Sequence, residues 1–554
     1  MKDRKTKLYR NRGITSVVML LVLTVLLLGA LAVSGIAGSG MSRARREYYA
    51  AQTFQAAQAG VDYQRQELIN YLEQHGLKLS YQERKLEDLP ITLPEGVTGK
   101  ITVMPFEGDR AWITCEAQLK GVSRSVRVLV KARDVSIWNN AIFAGSGASG
   151  QAINGNVDIR GSVHLLGNGE AFSDLNGNGK RDDAEPFEDK NGNGMWDAGE
   201  NFTDSNGDGV WNPAEPYNDS NWNGKYDPPM TVTELNSSFS GTAYIGNNYN
   251  GAPADLISKI PPIPEVDGKK SLSTEVRVKH GQIKIQGSAT VGTQYNYNGA
   301  KGPVDGTYVS DGWTGSPGAG GVYSDNGTGE QYDLGDKVEF PLIDGIGAEP
   351  YYDAVTGTTY STFKDYLDDN SMTVNLSSFS TSMSAFTYGP DAQGNYLSWD
   401  PSTNTLTIKG IIKINGNFTL GQKKQTINFD GNGTFYSTGT IDIHANLLPK
   451  SGKLFPTGAV IGLVALKDIN LATGSGDSQL MMMGAFYAQG TIRSAKQNQI
   501  AGTFVANYYD MGTNVPNIYQ VPKLKDHLPP GMPGGEIYVT VKQLTWRDRV
   551  PKDG

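Results

Sequence analysis

The heptapeptide INGNFTL, residues 414–420, decides the predicted fold because variants of it recur along the chain. Related segments are INGNVDI at 153–159 and IQGSATV at 285–291. Each places a glycine beside a short run that alternates apolar and polar residues, a pattern typical of a strand that follows a corner.

Four longer segments in the second half of the chain also begin with glycine. They are GTFYSTGTIDI from 433, GLVALKDINLA from 462, GAFYAQGTIRS from 484 and GTFVANYYD from 502. A period of roughly twenty to thirty residues predicts a parallel β-helix, a solenoid whose rungs stack on one another. A β-sandwich with coincidental similarity is the alternative. The predicted fold class is therefore mainly β.

Composition supports this class and excludes several functions. The chain has 554 residues, including 68 glycines, and its net charge of −8 argues against bulk nucleic-acid binding. Its one cysteine, Cys115, excludes a disulfide framework within one chain, and its alternating flanks predict a buried apolar position. The five histidines form no HxxxH or HExxH pair, so a zinc hydrolase is unsupported.

The N-terminus reads as a membrane anchor. A leader with six basic residues and one acid, residues 1–13, precedes the uncharged run ITSVVMLLVLTVLLLGALAVSGIAG, residues 14–38. That run is long enough to cross a bilayer, and the basic flank predicts a single-pass, N-in orientation with the bulk of the chain outside the cytoplasm. A cleaved secretory signal peptide is the alternative.

The following segment predicts that the helix continues outward and becomes amphipathic. One apolar stripe has helical spacing; its members are Ala50, Phe54, Ala57, Val61, Leu68 and Tyr71. Beyond it, GKITVMPF, RAWITCEAQLKG and SVRVLVKARD alternate in polarity and predict an antiparallel meander.

The leader ending in Arg12-Gly13, the apolar helix and FQAAQAG at 54–60 together resemble the N-terminal module of PilX-like minor pilins of type IV pilus systems. The resemblance covers roughly residues 8–75. It implies a pilin fold, cleavage after Gly13 by a prepilin peptidase, and N-methylation of Ile14. The chain departs from major pilins at Val18, where they carry glutamate. A plain signal-anchor helix with a stalk is the alternative.

A second repeat lies at 171–229. DLNGNGKRDDAE, DKNGNGMWDAGE, DSNGDGVWNPAE and DSNWNGKYDPPM begin at 174, 189, 204 and 219, which is a step of fifteen residues. The first three match the calcium-loop pattern D-x-[DN]-x-[DN]-G-x5-E. Calcium requires six to eight oxygens at about 2.3 to 2.6 Å, so short acceptors alternate with turning backbone and a longer carboxylate closes the shell.

We assign predicted ligands to loop positions 1, 3, 5, 7 (by its carbonyl), 9 and 12. In loop 1 they are Asp174, Asn176, Asn178, Lys180, Asp182 and Glu185; in loop 2 Asp189, Asn191, Asn193, Met195, Asp197 and Glu200; in loop 3 Asp204, Asn206, Asp208, Val210, Asn212 and Glu215; in loop 4 Asp219, Asn221, Asn223, Lys225 and Asp227. Met230 replaces the closing glutamate of loop 4, which predicts a weaker or water-completed site. A metal-free run of turns is the alternative.

Charge and spacing favour a structural role for calcium. Residues 171–229 hold thirteen acidic and four basic residues, a net charge of −9, so the segment would repel itself without cations. Only three residues separate consecutive loops, so EF-hand helices do not fit. The array resembles helix-less DxDxDG repeats, such as thrombospondin type 3 repeats. We expect recurring aromatic residues to stack as its thin core; they are Phe172, Phe187, Phe202, Tyr217, Trp196, Trp211 and Tyr226.

The predicted domains follow from these segments. They are a leader, 1–13; a transmembrane helix, 14–38; an extended amphipathic helix and linker, 39–93; a β-meander, 94–135; first β-helix rungs, 136–170; calcium repeats, 171–229; rungs with long surface insertions, 230–400; further β-helix, 401–520; and a Pro/Gly linker with a terminal strand, 521–554.

The favoured function is structural, not enzymatic: a membrane-anchored, pilin-like surface protein in pilus assembly, adhesion or secretion, with calcium as its cofactor and other pilin-like subunits as partners. One alternative is an anchored glycan-binding adhesin that uses exposed Tyr and Trp of 295–400. Another is a lyase, because calcium with a β-helix resembles pectate-lyase-type enzymes. We see no clustered Asp/Arg set on the INGN-type strands to support the lyase.

Overall fold

The computed structural model describes most of the chain. It covers residues 8–75, 79–106, 110–147, 158–229, 248–266, 338–510, 516–535 and 538–549, with short pieces between 237 and 309. The start of the leader, Met230, most of IQGSATV and the insertion residues 310–337 lie outside the described residues.

The described secondary structure is mainly β, with one long helix at the N-terminus, as predicted. The helices are α1 Leu8–His75, α2 Ala254–Ile257 and α3 Phe363–Asn370. The strands are β1 Gln82–Lys85, β2 Thr98–Phe106, β3 Arg110–Leu119, β4 Val122–Val135, β5 Ile142–Gly147, β6 Asp158–Arg160, β7 Val163–Leu165, β8 Ser237–Phe239, β9 Tyr244–Gly246, β10 Glu265–Val266, β11 Lys269–Lys270, β12 Val276–Val278, β13 Ile283–Ile285, β14 Thr290–Val291, β15 Gln294–Tyr295, β16 Ala300–Lys301, β17 Thr307–Val309, β18 Tyr351–Asp353, β19 Thr358–Tyr360, β20 Ser371–Thr373, β21 Ser378–Phe379, β22 Phe386–Tyr388, β23 Tyr396–Asp400, β24 Thr405–Ile414, β25 Phe418–Leu420, β26 Thr426–Ser437, β27 Ile441–Ile443, β28 Asn446–Pro449, β29 Val460–Ala465, β30 Ile469–Leu471, β31 Met481–Ser494, β32 Gln499–Asp510, β33 Asn517–Tyr519 and β34 Tyr538–Arg549.

The chain divides into two compact units. Unit 1 comprises residues 1–134 and 537–554, and unit 2 comprises residues 135–536. Unit 2 is therefore an insertion, in sequence, between β4 and β34. The sequence predicted a terminal strand but gave no indication that it belongs with the N-terminal segment.

Unit 1 packs the second half of α1 against one sheet, in the strand order β1-β2-β3-β4-β34. The pairs β1–β2, β2–β3 and β3–β4 are antiparallel. Alternate residues of β3 face the helix, so Ile113, Cys115 and Ala117 are buried, as predicted for Cys115. The predicted stripe is also used, because Ala57, Val61 and Leu68 lie in the same core.

The first and second halves of helix α1 differ in the exposure of their side chains. Within the described side chains, its large apolar residues from Val17 to Ile36 are exposed, while Ala56, Ala57 and Val61 are buried against the sheet. This is the described helix that is long and apolar enough to cross a membrane. Gly60 allows close packing, since a Cβ there would lie 2.7 Å from the Cys115 Sγ atom.

Unit 2 is built on parallel strand pairs that we call the stack. One column of paired strands runs β24, β26, β29, β31, β32, β5, β7, β12 and β17. A second column pairs β28, β31, β32, β33, β6, β9 and β14. Apolar side chains line up along it, with Leu447, Met482 and Ile500 in register and buried.

The order of strands in the stack is not the order in the sequence. The late strand β32 pairs with the early strand β5, through Phe504 and Ile142, and β33 pairs with β6. The stack therefore starts at β20 and β24, proceeds to β33, and continues through the early strands β5, β6, β7, β9, β12, β14 and β17. Trp138 reinforces this junction, because its Nε1 donates to the Pro533 carbonyl at 2.8 Å.

Two predicted surface segments are packed instead, which corrects the sequence interpretation. The sequence predicts surface excursions over much of 295–400, but in the described part of this range Leu367, Phe379 and Trp399 are buried. The rings of Phe379 and Trp399 lie 4.9 Å apart. The predicted linker from 521 contributes Leu524 to the core. Both segments have a polar composition because turns rich in Gly, Pro and Asp separate the few apolar residues that are buried. Because Trp399 is buried, it is not among the exposed aromatic rings that the glycan-binding alternative uses, whereas Tyr352 is exposed.

Candidate metal-binding array

Each of the four loops folds around the aspartate at position 1. In loop 1, Asp174 accepts the backbone N–H of Gly177 at 2.6 Å and that of Gly179 at 2.7 Å. Asp189 and Asp204 make the same pair of contacts in loops 2 and 3, and Asp219 accepts the N–H of Gly224 in loop 4. These N–H groups hold the pKa of Asp174 and Asp189 below the ordinary value.

The glycine at position 6 turns each loop as predicted. The φ angles there are +75°, +76°, +77° and +73°, a region that favours glycine. Position 4 has the same conformation, and in loop 4 Trp222 adopts it with a φ of +62°. The position-7 residues place their N–H groups 2.7 Å from the position-5 side chains. That the backbone carbonyl groups of these position-7 residues bind calcium stays a prediction. The residues are Lys180, Met195, Val210 and Lys225.

The side chains at positions 3, 5 and 9 converge in every loop. In loop 1, the amides of Asn176 and Asn178 donate to Asp182 Oδ2 at 2.7 and 2.6 Å. Loops 2 and 4 repeat this contact through Asn191, Asn193 and Asp197, and through Asn221, Asn223 and Asp227. In loop 3, Asn206 and Asn212 donate to Asp208.

This convergence suits a hard cation that prefers oxygen. An amide that turns by 180° places its oxygen where its nitrogen lies, so the same three side chains can offer three oxygens to one point. Among the described residues, no group of three His, Cys, Asp or Glu forms a metal-binding cluster. The predicted side-chain ligands are three carboxylates and two amides in each of loops 1 to 3, and two of each in loop 4, and a calcium site in any of them stays a prediction.

Of the three glutamates at loop position 12, only Glu200 forms its hydrogen bonds with its own loop. Glu200 contacts its own loop 2, accepting the N–H groups of Lys190 at 2.8 Å and Asp197 at 3.0 Å. Glu215, assigned to loop 3, instead contacts loop 1 through Leu175 and Asp182.

The same exchange occurs in the opposite direction. Glu185, assigned to loop 1, contacts loop 3 through the N–H groups of Ser205 at 2.7 Å and Asn212 at 3.1 Å. The hydrogen bonds therefore join Glu185 to loop 3 and Glu215 to loop 1, not to the loops in which the repeat pattern counts them. Nearness in sequence does not predict these contacts, because the chain folds back and brings loop 1 opposite loop 3.

Loop 4 has a glutamate that the sequence interpretation missed. Glu170 accepts the N–H groups of Ser220 at 2.7 Å and Asp227 at 3.1 Å, the same two positions used in the other loops. Met230 in place of a closing glutamate predicted a weaker or water-completed site in this loop. A signal existed in the sequence: Glu170 extends the series 185, 200 and 215 backwards by the same fifteen residues.

The array is a hairpin with loop 2 at its tip, not a line. Antiparallel bridges join Phe187 to Phe202 and, nearer the base, Phe172 to Tyr217. Rings fill the space between the two legs, as expected: Trp196 and Trp211 stack at 5.2 Å, and Phe187 meets Trp211 edge-on. At position 8 of loop 1, Arg181 takes the place of an aromatic residue and lies over Tyr217 at 4.9 Å.

The base of the hairpin touches the stack. Tyr508 donates to Asp227 Oδ2 at 3.3 Å, and the Lys467 Nζ atom lies 4.6 Å from the centre of the Trp222 ring. A cavity of about 210 Å³ lies between loop 4 and the stack, lined partly by Gln489 and Gly490. Loop 4 therefore lies against the stack.

The stack also carries charged and polar residues in register on β27, β30, β31 and β32, which are not the INGN-type strands that the lyase expectation concerned. Asp442, Asn470, Arg493 and Asp510 align across successive strands. Arg493 lies 2.7 Å from Asp468 and 3.8 Å from Asp510. Two carboxylates stabilise its cationic form, so the arrangement suits a surface ion-pair ladder better than a catalytic base.

Comparison with solved structures finds similar chains, among them a pilin. The competence-associated pilin ComZ from Thermus thermophilus is 16% identical, covers 91% of this chain and 98% of its own, and gives a TM-score of 0.47. A TM-score this low carries no argument about fold or function. No protein-family profile matches the sequence, and no curated protein matches it.

Proposed function

We propose that this chain is a membrane-anchored, pilin-like structural protein whose unit 2 is a parallel β-helix stiffened by a calcium-binding hairpin. The membrane anchor is supported by the change in side-chain exposure along α1. Its apolar residues are exposed up to Ile36, and buried residues begin at Thr53. A helix with this division can sit in a bilayer with its first half and hold a folded sheet with its second.

Orientation and partners follow from the same helix. The basic leader favours an N-in insertion, which places both units outside the cytoplasm. The exposed apolar half of α1 is available for lipid or for the equivalent helix of other pilin-like subunits, so the protein would act in pilus assembly, adhesion or secretion. Gly13 and Ile14 lie inside α1 and would be the processing site.

The β-helix proposal is supported by the parallel registers of the stack, because successive strands repeat the same inward positions. The calcium proposal is supported by four loops with the same internal hydrogen bonds and a net charge of −9 over residues 171–229. Each site would combine carboxylate and amide oxygens, so we expect weak affinity suited to extracellular calcium.

Mass spectrometry of the mature N-terminus tests the pilin assignment. The full chain is expressed in cells with a prepilin peptidase, and a chain that begins with N-methylated Ile14 is the expected product. Gly13→Val serves as the control, since it should remain uncut. An intact leader in the native chain, with the peptidase shown to process a known substrate in the same cells, would overturn the assignment and leave a plain anchored protein.

A further inference from the structure

We propose that closing glutamates are exchanged across the hairpin, so that Glu170 completes the calcium site of loop 4 and loops 1 and 3 close each other, while loop 2 is closed by its own Glu200. This inference rests on the proposed calcium array and deepens it. It assigns a ligand that the repeat pattern does not contain, and it makes the sites interdependent.

The four contacts are equivalent, which is the first reason for the inference. Every closing glutamate accepts the N–H groups of positions 2 and 9 of one loop. In loop 2, where the glutamate belongs to the same loop, the distances are 2.8 and 3.0 Å. For Glu170 on loop 4 they are 2.7 and 3.1 Å. Loop 2 thus provides an internal reference, and Glu170 reproduces its geometry from outside the motif.

The order of the exchange is the second reason. The glutamates at 170, 185, 200 and 215 meet loops 4, 3, 2 and 1, respectively. A hairpin that folds at loop 2 produces this nested order, because each position on one leg faces a position on the other. The same fifteen-residue period that spaces the loops therefore places a glutamate opposite each of them.

Burial is the third and independent reason. Glu170, Glu185 and Glu215 are only 2%, 6% and 4% exposed. A buried carboxylate is costly unless hydrogen bonds and an opposite charge compensate it. Among the described residues, the carboxylate of Glu170 is hydrogen-bonded by two backbone N–H groups, which carry no full charge. A bound cation would supply the missing charge, and each oxygen keeps a lone pair for it.

The exchange gives calcium a mechanical role. In loop 4 an ion would join Glu170 to Asp219 and Asp227, and so hold together the two ends of the insertion beside the stack. Ions in loops 1 and 3 would bridge the two legs. Only the ion in loop 2 would bind within one continuous segment.

The number of bound calcium ions in double variants distinguishes two schemes. In exchanged closure, a glutamate closes the loop opposite it in the hairpin; in local closure, it closes the loop in which it stands at position 12. The full chain is held in detergent micelles, and bound calcium is measured by equilibrium dialysis at a concentration that saturates the native chain. Asp204→Asn combined with Glu185→Gln damages one site if closure is exchanged, but two if it is local. Asp174→Asn with Glu185→Gln damages two sites if closure is exchanged and one if it is local.

Glu170→Gln tests the fourth site directly. We expect the native chain to bind four ions, and this variant to bind three, with the fourth requiring at least about tenfold more calcium. Asp189→Asn with Glu200→Gln is the control, because both schemes predict the loss of one ion. Each variant replaces a carboxylate by its amide of nearly the same size, so we expect all of them to fold. Circular dichroism of each variant checks this.

The outcomes are distinct. Four ions in the native chain with the reverse pattern in the two double variants, or no change in Glu170→Gln, would overturn the exchange and leave the calcium array intact. Failure of the native chain to bind any calcium would overturn the array and the exchange together. The pilin assignment is tested separately at the N-terminus and survives either result.

Discussion

The carboxylate of Glu170 accepts the backbone N–H of Asp227 at 3.1 Å across a sequence separation of 57 residues. This contact closes the base of the hairpin that contains all four loops. Removing calcium should therefore loosen this segment, because residues 171–229 carry thirteen acidic residues against four basic ones. Mutual repulsion would then be uncompensated.

Calcium removal should expose the array to trypsin. We expect cleavage after Lys180 and Lys190 to accelerate when calcium is chelated, by about a hundredfold if the calcium used beforehand exceeded the dissociation constant a hundredfold. Gel and mass-spectrometric analysis of the fragments measures the two rates. Cleavage after Lys413, whose ammonium lies 2.8 Å from Asp368 in the stack, is the internal control. Equal rates with and without calcium at the two array sites would contradict the prediction.

Gly60→Val should destabilise unit 1. A Cβ at Gly60 would lie 2.7 Å from the Cys115 Sγ atom and 2.8 Å from the Leu86 Cδ1 atom, all within a closed core. Overpacking of this kind costs about 1 to 3 kcal/mol. Gly40→Val is the matched control in the same helix, because nothing lies within 4 Å of a Cβ there.

Cys115 reports the effect of Gly60→Val locally. Burial raises the pKa of its thiol to about 12, so alkylation at neutral pH should require opening of unit 1. A loss of about 2 kcal/mol should accelerate alkylation by roughly thirtyfold in Gly60→Val. If Gly60→Val and Gly40→Val are alkylated at the same rate, the close packing of α1 on the sheet is not needed for stability.

Gly502→Ala should destabilise the stack near its junction. Gly502 has a φ of +146°, and a Cβ there would lie 1.9 Å from the Gly484 carbonyl oxygen. That contact is with backbone, so it cannot be relieved by a side-chain rotation. We expect a loss of about 3 kcal/mol or more, measured by thermal unfolding of the full chain. Gly535→Ala, where the nearest atoms lie at 3.6 and 3.9 Å, should unfold at the native temperature.

Asp368 should make the stability of unit 2 depend on acid. Burial alone would raise the pKa of this carboxyl, but Lys364 and Lys413 outweigh that effect and hold it below the ordinary value. A lowered folded pKa stabilises the fold above the unfolded value of about 3.9, and that contribution disappears as the pH falls through the folded pKa.

Unfolding temperatures of the native chain and Asp368→Asn should therefore differ at pH 6 and converge towards pH 2. Asp369→Asn, at the exposed neighbouring position, should follow the native chain throughout. A difference between the native chain and Asp368→Asn that is constant with pH would show that the two lysines do not act through the charge of Asp368.

Local patterns carried much of the prediction. The uncharged run 14–38 and the stripe through Ala57, Val61 and Leu68 indicated helix α1, because helical periodicity is a local property. The alternation around Cys115 indicated its burial in the same way. The loop pattern also indicated the turn at position 6, since a positive φ there favours glycine whatever surrounds it.

Longer-range pairing was not accessible from these patterns. Residues 338–400 and the segment from 521 resemble surface loops in composition, yet Trp399 and Leu524 are buried. A few apolar residues separated by turns give no periodic signal, so their burial depends on which surface the fold brings to them.

The sequence by itself determined the local elements of this protein: an apolar helix, strands with glycine corners, and four loops that turn around an aspartate. Only the tertiary structure decided how they combine. It paired β32 with β5, placed β34 beside β4, and brought Glu170 to loop 4. The physical reason is that the turn at a glycine depends on its own backbone, whereas the partner of a strand or a glutamate depends on where distant segments fold back.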